Sequence, residues 1–259
     1  MGILNRTKDS FFAPAATFAL SDLYRRAEQL VDDGADILDV GGVKAGPGED
    51  VSESEELERV VPVIGELHRR FDTPLSIDTW RASVAGACFE AGAVIGNDIS
   101  GFADPKYLPV AATCEASVVA THIRLQPRVP DPNPHYENVT DTVCEFLEDR
   151  RQRALDAGIA PDRIMVDAGL DLGKTAGQSL QLLRDSQQLA QLGSPLLLSA
   201  SNKTFLGVMF NRAVTERQEL SLVAACLGMV HGCRVLRVHD VLGTVRARDT
   251  MSAISMARS

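Results

Sequence analysis

The chain of 259 residues has little of what would mark a secreted, membrane or nucleic-acid-binding protein. Its five cysteines are an odd number and form no Cys-x-x-Cys pair, which argues against a disulfide framework or a zinc cluster and predicts reduced thiols in the cytoplasm. We find no signal peptide, and no run reaches the ~18 apolar residues of a membrane-spanning helix. Lysine and arginine (26) are fewer than aspartate and glutamate (35), and the net charge of −9 argues against nucleic acid as a partner.

The composition is that of a globular protein, with 45% hydrophobic and 24% charged residues, which excludes a disordered or collagen-like chain. Short, nearly continuous apolar runs alternate with longer amphipathic segments. Such runs are typical of strands buried on both faces of a parallel sheet. The runs are Gly2–Leu4, Asp36–Val40, Leu75–Asp78, Ala93–Asn97, Ser117–His122, Ile164–Asp167, Pro195–Ser201 and Val235–Asp240.

Eight strand–helix units of about 32 residues each predict an α/β fold, the (β/α)8 or TIM barrel. The rival architecture is an open doubly wound sheet, which does not need eight units. The first run is not followed by the Gly-rich dinucleotide-binding turn that such a sheet often carries. No shift in composition marks a linker, so we expect residues 1–259 to form a single domain.

Nearly every predicted strand ends in a polar or charged residue. Because the carboxyl ends of barrel strands form the active-site mouth, we expect these side chains to converge there. Each residue taken alone is explained equally well as a helix cap, whereas the whole set indicates a binding site. The set comprises Asn5, Asp39, Asp78, Asn97, Asp98, His122, Asp167, Ser201, Asn202, Lys203, Arg237 and His239.

The acidic and amide members of this set predict a pocket for a nitrogenous ring. Asp78, Asn97 and Asp167 supply hydrogen-bond acceptors and an amide at the centre of the mouth. Carboxylates accept hydrogen bonds only, and an amide both accepts and donates. Such groups suit a planar heterocycle with several N–H donors, for example an aminopyrimidinone.

The basic members predict an anion site beside this pocket. Lys203, Arg237 and His239 are donors that can hold a phosphate or a similar group. Asn5, with Asp39 nearby, can ligate a hard divalent cation through oxygen. Acceptors on one side and cations on the other describe a ligand with a nitrogenous ring and a phosphate.

These residues lie in segments that resemble the dihydropteroate synthase family, and the resemblance runs from Met1 to about Ala247. One matching segment would be weak evidence, but seven occur in order, each at the end of a predicted strand. They are Gly2–Asn5 with Thr7 and Asp9–Phe11, Asp39–Gly42, Ser76–Thr79, Asn97–Gly101, Asp167 with Gly169 and Gly173–Lys174, Ser201 with Lys203, and Arg237–Asp240.

The resemblance implies a barrel transferase of folate biosynthesis that uses Mg²⁺ and forms a homodimer through its last helices. Such an enzyme joins a dihydropterin pyrophosphate to p-aminobenzoate and releases pyrophosphate. If pyrophosphate leaves first, anion binding and metal neutralisation of the leaving group carry most of the rate, and little acid–base chemistry is needed.

The resemblance also assigns roles to the residues at the mouth. Asp78, Asn97, Asp167 and Lys203 would hold the pterin ring, and Arg237 would lie over its face. The pyrophosphate side would be bound by Arg237 with two further residues, Asn5 and His239, and Asn5 would lie at the metal. Candidate catalytic residues are Lys203, Arg237 and His239.

The chain departs from the family pattern in the loop after the second strand. There the family usually has Thr and Arg, which help to bind the leaving anion and p-aminobenzoate, and this chain has Ala45 and Gly46. Lys44 can supply a positive charge, but it lacks the bidentate fork of an arginine.

Two further departures lie in later loops. The arginine that usually precedes Lys203 is Asn202 here. In the loop after the sixth strand, Leu172 replaces an aromatic residue and Asp171 is a new carboxylate. These loops resemble those of the divergent second synthase-like paralog of actinobacteria, a subgroup regarded as lacking the synthase activity.

Three functional interpretations therefore remain open. The first is a working or weak dihydropteroate synthase, and the changed loops favour reduced or absent activity. The second is a non-catalytic paralog that binds a pterin or a partner protein. The third is a methyltetrahydrofolate-dependent methyltransferase with a similar pocket, which fits Lys203 and the Arg237–His239 segment less well.

Overall fold

A computed structural model describes residues 1–6, 15–46 and 48–256, without the side chains of residues 15–19. It confirms the barrel, because eight parallel strands pair in chain order within one sheet and helices follow them. The strands are β1 (Gly2–Asn5), β2 (Leu38–Gly41), β3 (Leu75–Asp78), β4 (Ile95–Asp98), β5 (Ser117–Thr121), β6 (Ile164–Asp167), β7 (Leu196–Leu198) and β8 (Cys233–Leu236).

The last strand returns to the first and closes the sheet. Gly2 and Val238 form a parallel bridge, and the N–H of Val238 donates to the carbonyl oxygen of Met1 at 3.0 Å. The amino group of Met1 donates to the carbonyl oxygen of Leu236 at 2.9 Å. Closure pairs the two strands that would otherwise be the edges of an open sheet.

Helices pack on the outside of the barrel, and none in the described ranges is both long and apolar enough to cross a membrane. Side chains satisfy the free N–H groups at several helix starts. Asn138 accepts from the N–H groups of Thr140 and Asp141, and Thr175 forms a capping box with Gln178. The helices are α1 (Ala15–Asp32), α2 (Glu53–Arg70), α3 (Ala82–Glu90), α4 (Tyr107–Thr113), α5 (Val139–Asp156), α6 (Ala176–Arg184), α7 (Ser186–Leu189), α8 (Thr204–Phe210), α9 (Gln218–Val230) and α10 (Val241–Met256).

An apolar cluster fills the lower part of the barrel and places the polar residues above it. Side chains two positions apart on a strand point to the same face. For five residues of this cluster, the polar residue two positions later in the chain therefore also points into the barrel, nearer the carboxyl ends of the strands. These pairs are Ile37 and Asp39, Ile95 and Asn97, Val119 and Thr121, Met165 and Asp167, and Val235 and Arg237.

The helical pattern in the sequence missed α8 and the break between α6 and α7. Helix α8 has only seven residues, with Gly207 inside it and no amphipathic repeat, so its sequence carries no clear helical signal. The amphipathic segment before β7 is not one helix, because α6 ends at Arg184 and α7 begins at Ser186. Both differences lie outside the strands, so the barrel order is unaffected.

Gly169 supports a first prediction, because it lies at φ +64° and a Cβ there would stand 1.9 Å from the carbonyl oxygen of His122. Gly169→Ala should destabilise the protein by about 2–4 kcal/mol, since backbone must move to admit the methyl group. Gly177→Ala is the control, because its Cβ would meet nothing nearer than Thr175 Oγ1 at 4.0 Å. Chemical denaturation measures both variants, and equal stabilities would contradict the prediction.

Candidate active site

Arg237 ties β8 to two other strands inside the mouth. Its Nε donates to Asp39 Oδ2 at 2.6 Å, and its Nη2 donates to Asp78 Oδ2 at 2.7 Å. Burial alone would lower the pKa of Arg237, but the two carboxylates outweigh it and raise that pKa. The guanidinium is therefore permanently charged, and its charge is largely compensated by fixed partners.

Three acceptor atoms in the mouth are left without a donor among the described residues. Asp78 uses Oδ2 for Arg237, which leaves Oδ1. Asn97 directs its Nδ2 towards both oxygens of Asp39 at 3.4 Å, which leaves its own Oδ1. Asp167 accepts from the N–H of Gly169 through Oδ1 at 2.8 Å, which leaves Oδ2. The structure thus brings the three residues together as a set of acceptors.

Burial controls the charge of these acids. It raises the pKa of Asp78 to about 7, although the guanidinium of Arg237 opposes the shift. Burial also raises the pKa of Asp167, which is 5% exposed, against the N–H of Gly169 and the ammonium of Lys203. Burying an isolated carboxylate costs free energy. Protonation of the carboxyl group, or a hydrogen bond from a ligand N–H, would lower that cost.

Lys203 lies at the start of α8 and reaches back to the loop after β6. Its Nζ donates to the carbonyl oxygen of Leu170 at 3.0 Å. Burial lowers the pKa of Lys203, and the nearby carboxylates of Asp167 and Asp171 oppose this. The ammonium therefore lies between the carboxylate of Asp167 and the β6 loop.

Asp171, the carboxylate that departs from the family pattern, caps α8. Its Oδ2 accepts from the N–H of Thr204 at 2.5 Å, and its Oδ1 accepts from the N–H of Phe205 at 3.2 Å. The N–H of Asp171 itself donates to Ser179 Oγ at 3.1 Å. A negative charge at a helix amino terminus is favourable, so Asp171 joins the β6 and β7 loops beside Lys203.

The β6 loop is also held by Lys174, a residue to which the sequence analysis assigned no role. Its Nζ donates to the carbonyl oxygens of Gly169 at 2.8 Å and Leu172 at 3.1 Å, and lies 2.8 Å from His122 Nδ1. The carbonyl oxygen of His122 is a fourth and more distant acceptor at 3.4 Å, so all three hydrogens of the ammonium have partners. Burial and this ammonium lower the pKa of His122 to about 2, so the imidazole is neutral and structural.

His239 and Asn5 lie at the rim of the mouth. His239 Nδ1 is 2.9 Å from Ser201 Oγ, and burial with the nearby Arg237 lowers the pKa of the imidazole. Asn5 is exposed at the end of β1. A Cβ built on Gly41, its register partner, would lie 3.5 Å from Asn5 Oδ1 and from Asp78 Cβ, so these two side chains flank Gly41.

A metal at this site would depend on few protein ligands. Within residues 1–6, 15–46 and 48–256, no three His, Cys, Asp or Glu side chains form a metal-binding group. The exposed amide of Asn5 offers one oxygen, and Asp78 Oδ1 offers a second, because Arg237 binds only Oδ2 of that carboxylate. This donor set fits Mg²⁺, which keeps several waters and is usually held by one or two carboxylates together with substrate phosphates.

The changed loop after β2 is joined to the long loop after β5. The N–H of Arg128 donates to the carbonyl oxygen of Ala45 at 3.2 Å, and its guanidinium donates to the carbonyl oxygen of Glu49. A Cβ on Gly46 would meet nothing within 4 Å, so a larger side chain fits there. The matching positions Thr7 and Asp9–Phe11 of the first loop lie outside the described residues.

The sequence reading underestimated Asp39 and Glu56. Asp39 is fully buried and is the shared partner of Arg237 and Asn97. Glu56 of α2 is also fully buried, where Thr79 Oγ1 donates to it at 2.7 Å and Arg81 pairs with it, which fixes the loop after β3. The sequence did contain a signal for the burial of Asp39, because this residue lies two positions after the apolar Ile37. It contained none for Glu56, which is one of several acidic residues in the first turn of α2.

Comparison with protein families gives a match over residues 1–239 to the family described as pterin binding enzyme. The dihydropteroate synthase of Haemophilus influenzae is 37% identical over 94% of this chain and 89% of that protein. The chain belongs to the dihydropteroate synthase family.

Two further relatives bear on the subgroup and the fold. The inactive dihydropteroate synthase 2 of Mycobacterium leprae is 39% identical over the whole of this chain and 91% of that protein, which confirms the resemblance to the second paralog. The structure of Xanthomonas albilineans dihydropteroate synthase with 4-aminobenzoic acid superposes with a TM-score of 0.92, at 35% identity over 100% of this chain and 93% of that one.

The capping role of Asp171 is open to a direct test. Asp171→Gly removes both acceptors without strain at φ +67°, and should destabilise the protein by about 1–2 kcal/mol because two N–H groups of α8 lose their partner. Asp72→Gly, at an exposed loop position, is the matched control. If both variants lose the same stability in urea denaturation, the cap contributes nothing specific.

Proposed function

We propose that this protein binds a dihydropterin pyrophosphate in the barrel mouth and condenses it with p-aminobenzoate far more slowly than a typical dihydropteroate synthase, or not at all. The observation that carries the proposal is the set of three unpaired acceptors on Asp78, Asn97 and Asp167. A pterin ring offers an amino group and ring N–H groups along one edge, which match such acceptors. Each ligand N–H that pairs with one of these oxygens would add a hydrogen bond and so contribute to affinity.

The phosphate end of the ligand is assigned to the basic side of the mouth. We propose that Lys203, Arg237 and His239 hold the pyrophosphate, with Asn5 as a ligand of Mg²⁺. When bound, the metal would neutralise the charge that develops on the leaving pyrophosphate. Lys203 and Arg237 would orient the ring and the methylene group, and His239 would donate to a phosphate oxygen.

The slow rate follows from the groups that the loops lack. The usual Thr and Arg after β2 are Ala45 and Gly46, and the usual Arg before Lys203 is Asn202. Loss of one donor at a developing oxyanion typically costs ~10²–10³ in rate. Because Arg237 is already paired with Asp39 and Asp78, its charge replaces these donors poorly.

The second candidate function is binding of a pterin without condensation. It is supported by the same three acceptors, since the residues proposed to hold the ring are present while donors proposed for the leaving group are missing. The two candidates differ only in turnover, so one assay with both substrates separates them. The methyltransferase interpretation has less support, because Lys203 and the Arg237–His239 segment match the synthase pattern better.

Binding of the pterin is tested at Asp167. Asp167→Ala should weaken binding of dihydropterin pyrophosphate by about 10- to 100-fold, because a buried ring N–H loses its acceptor. Asp162→Ala, an exposed acid just before β6, is the control and should bind as the wild type does. Isothermal titration calorimetry measures both, and unchanged affinity in Asp167→Ala would exclude the pocket.

Turnover is tested in the loop after β2. Ala45→Thr with Gly46→Arg should raise the condensation rate by about 100-fold, because it restores donors to the leaving anion, and the open space at Gly46 admits the arginine. Ala45→Thr with Gly46→Gln adds bulk without charge and serves as the control. A wild-type rate already equal to that of a typical synthase would refute the proposal, and an equal gain in the control would show that charge is not the cause.

We further propose a cytoplasmic homodimer. The five cysteines are free thiols, which suits a reducing compartment. Large apolar side chains are exposed on α8 and α9, including Phe210 at 54%, Val223 at 68% and Val230 at 64%. Val223→Glu should shift the protein to monomer in analytical ultracentrifugation by placing charge in this face, and an unchanged mass would exclude this surface as the interface.

A further inference from the structure

Ser201 and His239 make two contacts with each other at the rim of the mouth. Ser201 Oγ lies 2.9 Å from Nδ1 of His239, and the backbone N–H of His239 donates to the same oxygen at 3.2 Å. The two residues follow neighbouring strands, β7 and β8, which are joined where the N–H of Arg237 donates to the carbonyl oxygen of Leu198 at 2.9 Å. The pair is therefore held by the sheet itself.

The hydrogens of this pair can be counted. A serine hydroxyl has one hydrogen to donate and can also accept. Ser201 Oγ accepts from the N–H of His239, and within the described part of the chain Nδ1 is the one partner in reach of its own hydrogen. Donation to Nδ1 requires that this nitrogen be unprotonated, so the ring hydrogen resides on Nε2.

The surroundings of His239 keep the imidazole neutral and leave Nε2–H available. Burial lowers the pKa of His239, and the cations Arg237, Arg26 and Lys203 lower it further. Arg26 Nη2 also donates to the backbone oxygen of His239 at 2.6 Å, which fixes the backbone from the other side. No described residue accepts from Nε2, and His239 borders a cavity of about 320 Å³ with Arg26 and Gln218.

We propose that Ser201 is a positioning residue that fixes His239 as the Nε2–H tautomer and so presents a neutral N–H donor to the anion of the ligand. The identity of that anion rests on the proposed function, whereas the tautomer of His239 does not. Without the hydroxyl, Nδ1 would be free to carry the hydrogen, and Nε2 would then be an acceptor that repels a phosphate oxygen.

The tautomer is read in the protein without ligand, from ¹⁵N shifts of the histidine rings at neutral pH. His239→Gln identifies the signals of His239 by their loss. In the wild type we expect an unprotonated Nδ1 and a protonated Nε2, and Ser201→Ala should lose this pattern while Ser201→Thr keeps it. Ser194→Ala, at the other end of β7, is the control, because its hydroxyl has no hydrogen-bond partner. A protonated Nδ1 in the wild type, or an unchanged pattern in Ser201→Ala, overturns the proposal.

Binding of inorganic pyrophosphate tests the consequence. Ser201→Ala should lose about 10-fold in affinity, corresponding to one hydrogen bond, and Ser201→Thr should regain it. Equal affinity of Ser201→Ala and wild type would remove the role of Ser201 in anion binding. If the wild type binds no pyrophosphate, the anion site of the proposed function fails, and this part of the inference fails with it, whereas the ring shifts still decide the tautomer.

Discussion

The pairing of Arg237 with Asp39 and Asp78 is the interaction on which the mouth of this barrel depends. It places one guanidinium from β8 against carboxylates from β2 and β3, across the closure of the sheet. Removing one partner from a buried charged group typically costs about 3–5 kcal/mol, because the remaining charge is left uncompensated. The three residues therefore define a fixed floor to which Asn97 adds its amide.

Everything above this floor is positioned by contacts between neighbouring loops. Lys203 and Asp171 join the β6 and β7 loops, and Lys174 secures the β6 loop against His122. These are mostly bonds from side chains to backbone groups, which fix loop geometry without helices or strands of their own. The carboxylate of Asp171 thus fixes the start of α8 next to Lys203.

The acceptor residues at the strand ends match the family pattern, whereas several loop residues differ from it. Asp78, Asn97 and Asp167 lie at or next to the ends of their strands, where a change of side chain would disturb the barrel interior. The donors that differ from the family pattern, at Ala45, Gly46 and Asn202, lie in loops. Connecting loops tolerate substitution better than the strands and helices that they join. Substitutions in these loops can therefore change the site while the barrel remains intact.

The barrel, its strand order and the polar residues at the strand ends could all be predicted from the amino-acid sequence. Continuous apolar runs report burial on both faces, and the residue that ends each run lies at the same edge of the sheet because all strands are parallel. Candidates such as Asp78, Asn97 and Asp167 were therefore visible without coordinates. Local sequence patterns did not predict the short helix α8. The start of this helix is capped by Asp171, which lies 33 positions before Thr204 in the chain.

Which of these groups form hydrogen bonds with one another, and which are left without a partner, depends on how the folded chain brings them together. The sequence placed Asp39 beside a possible metal, whereas the fold binds it to Arg237, and it gave no sign that Glu56 is buried or that Asp171 caps a helix. Hydrogen-bond partners at separations of 33 to 198 residues meet through closure of the barrel, and burial then sets their charge. Sequence spacing carries no record of those distances, because they arise when distant strands are brought to one mouth.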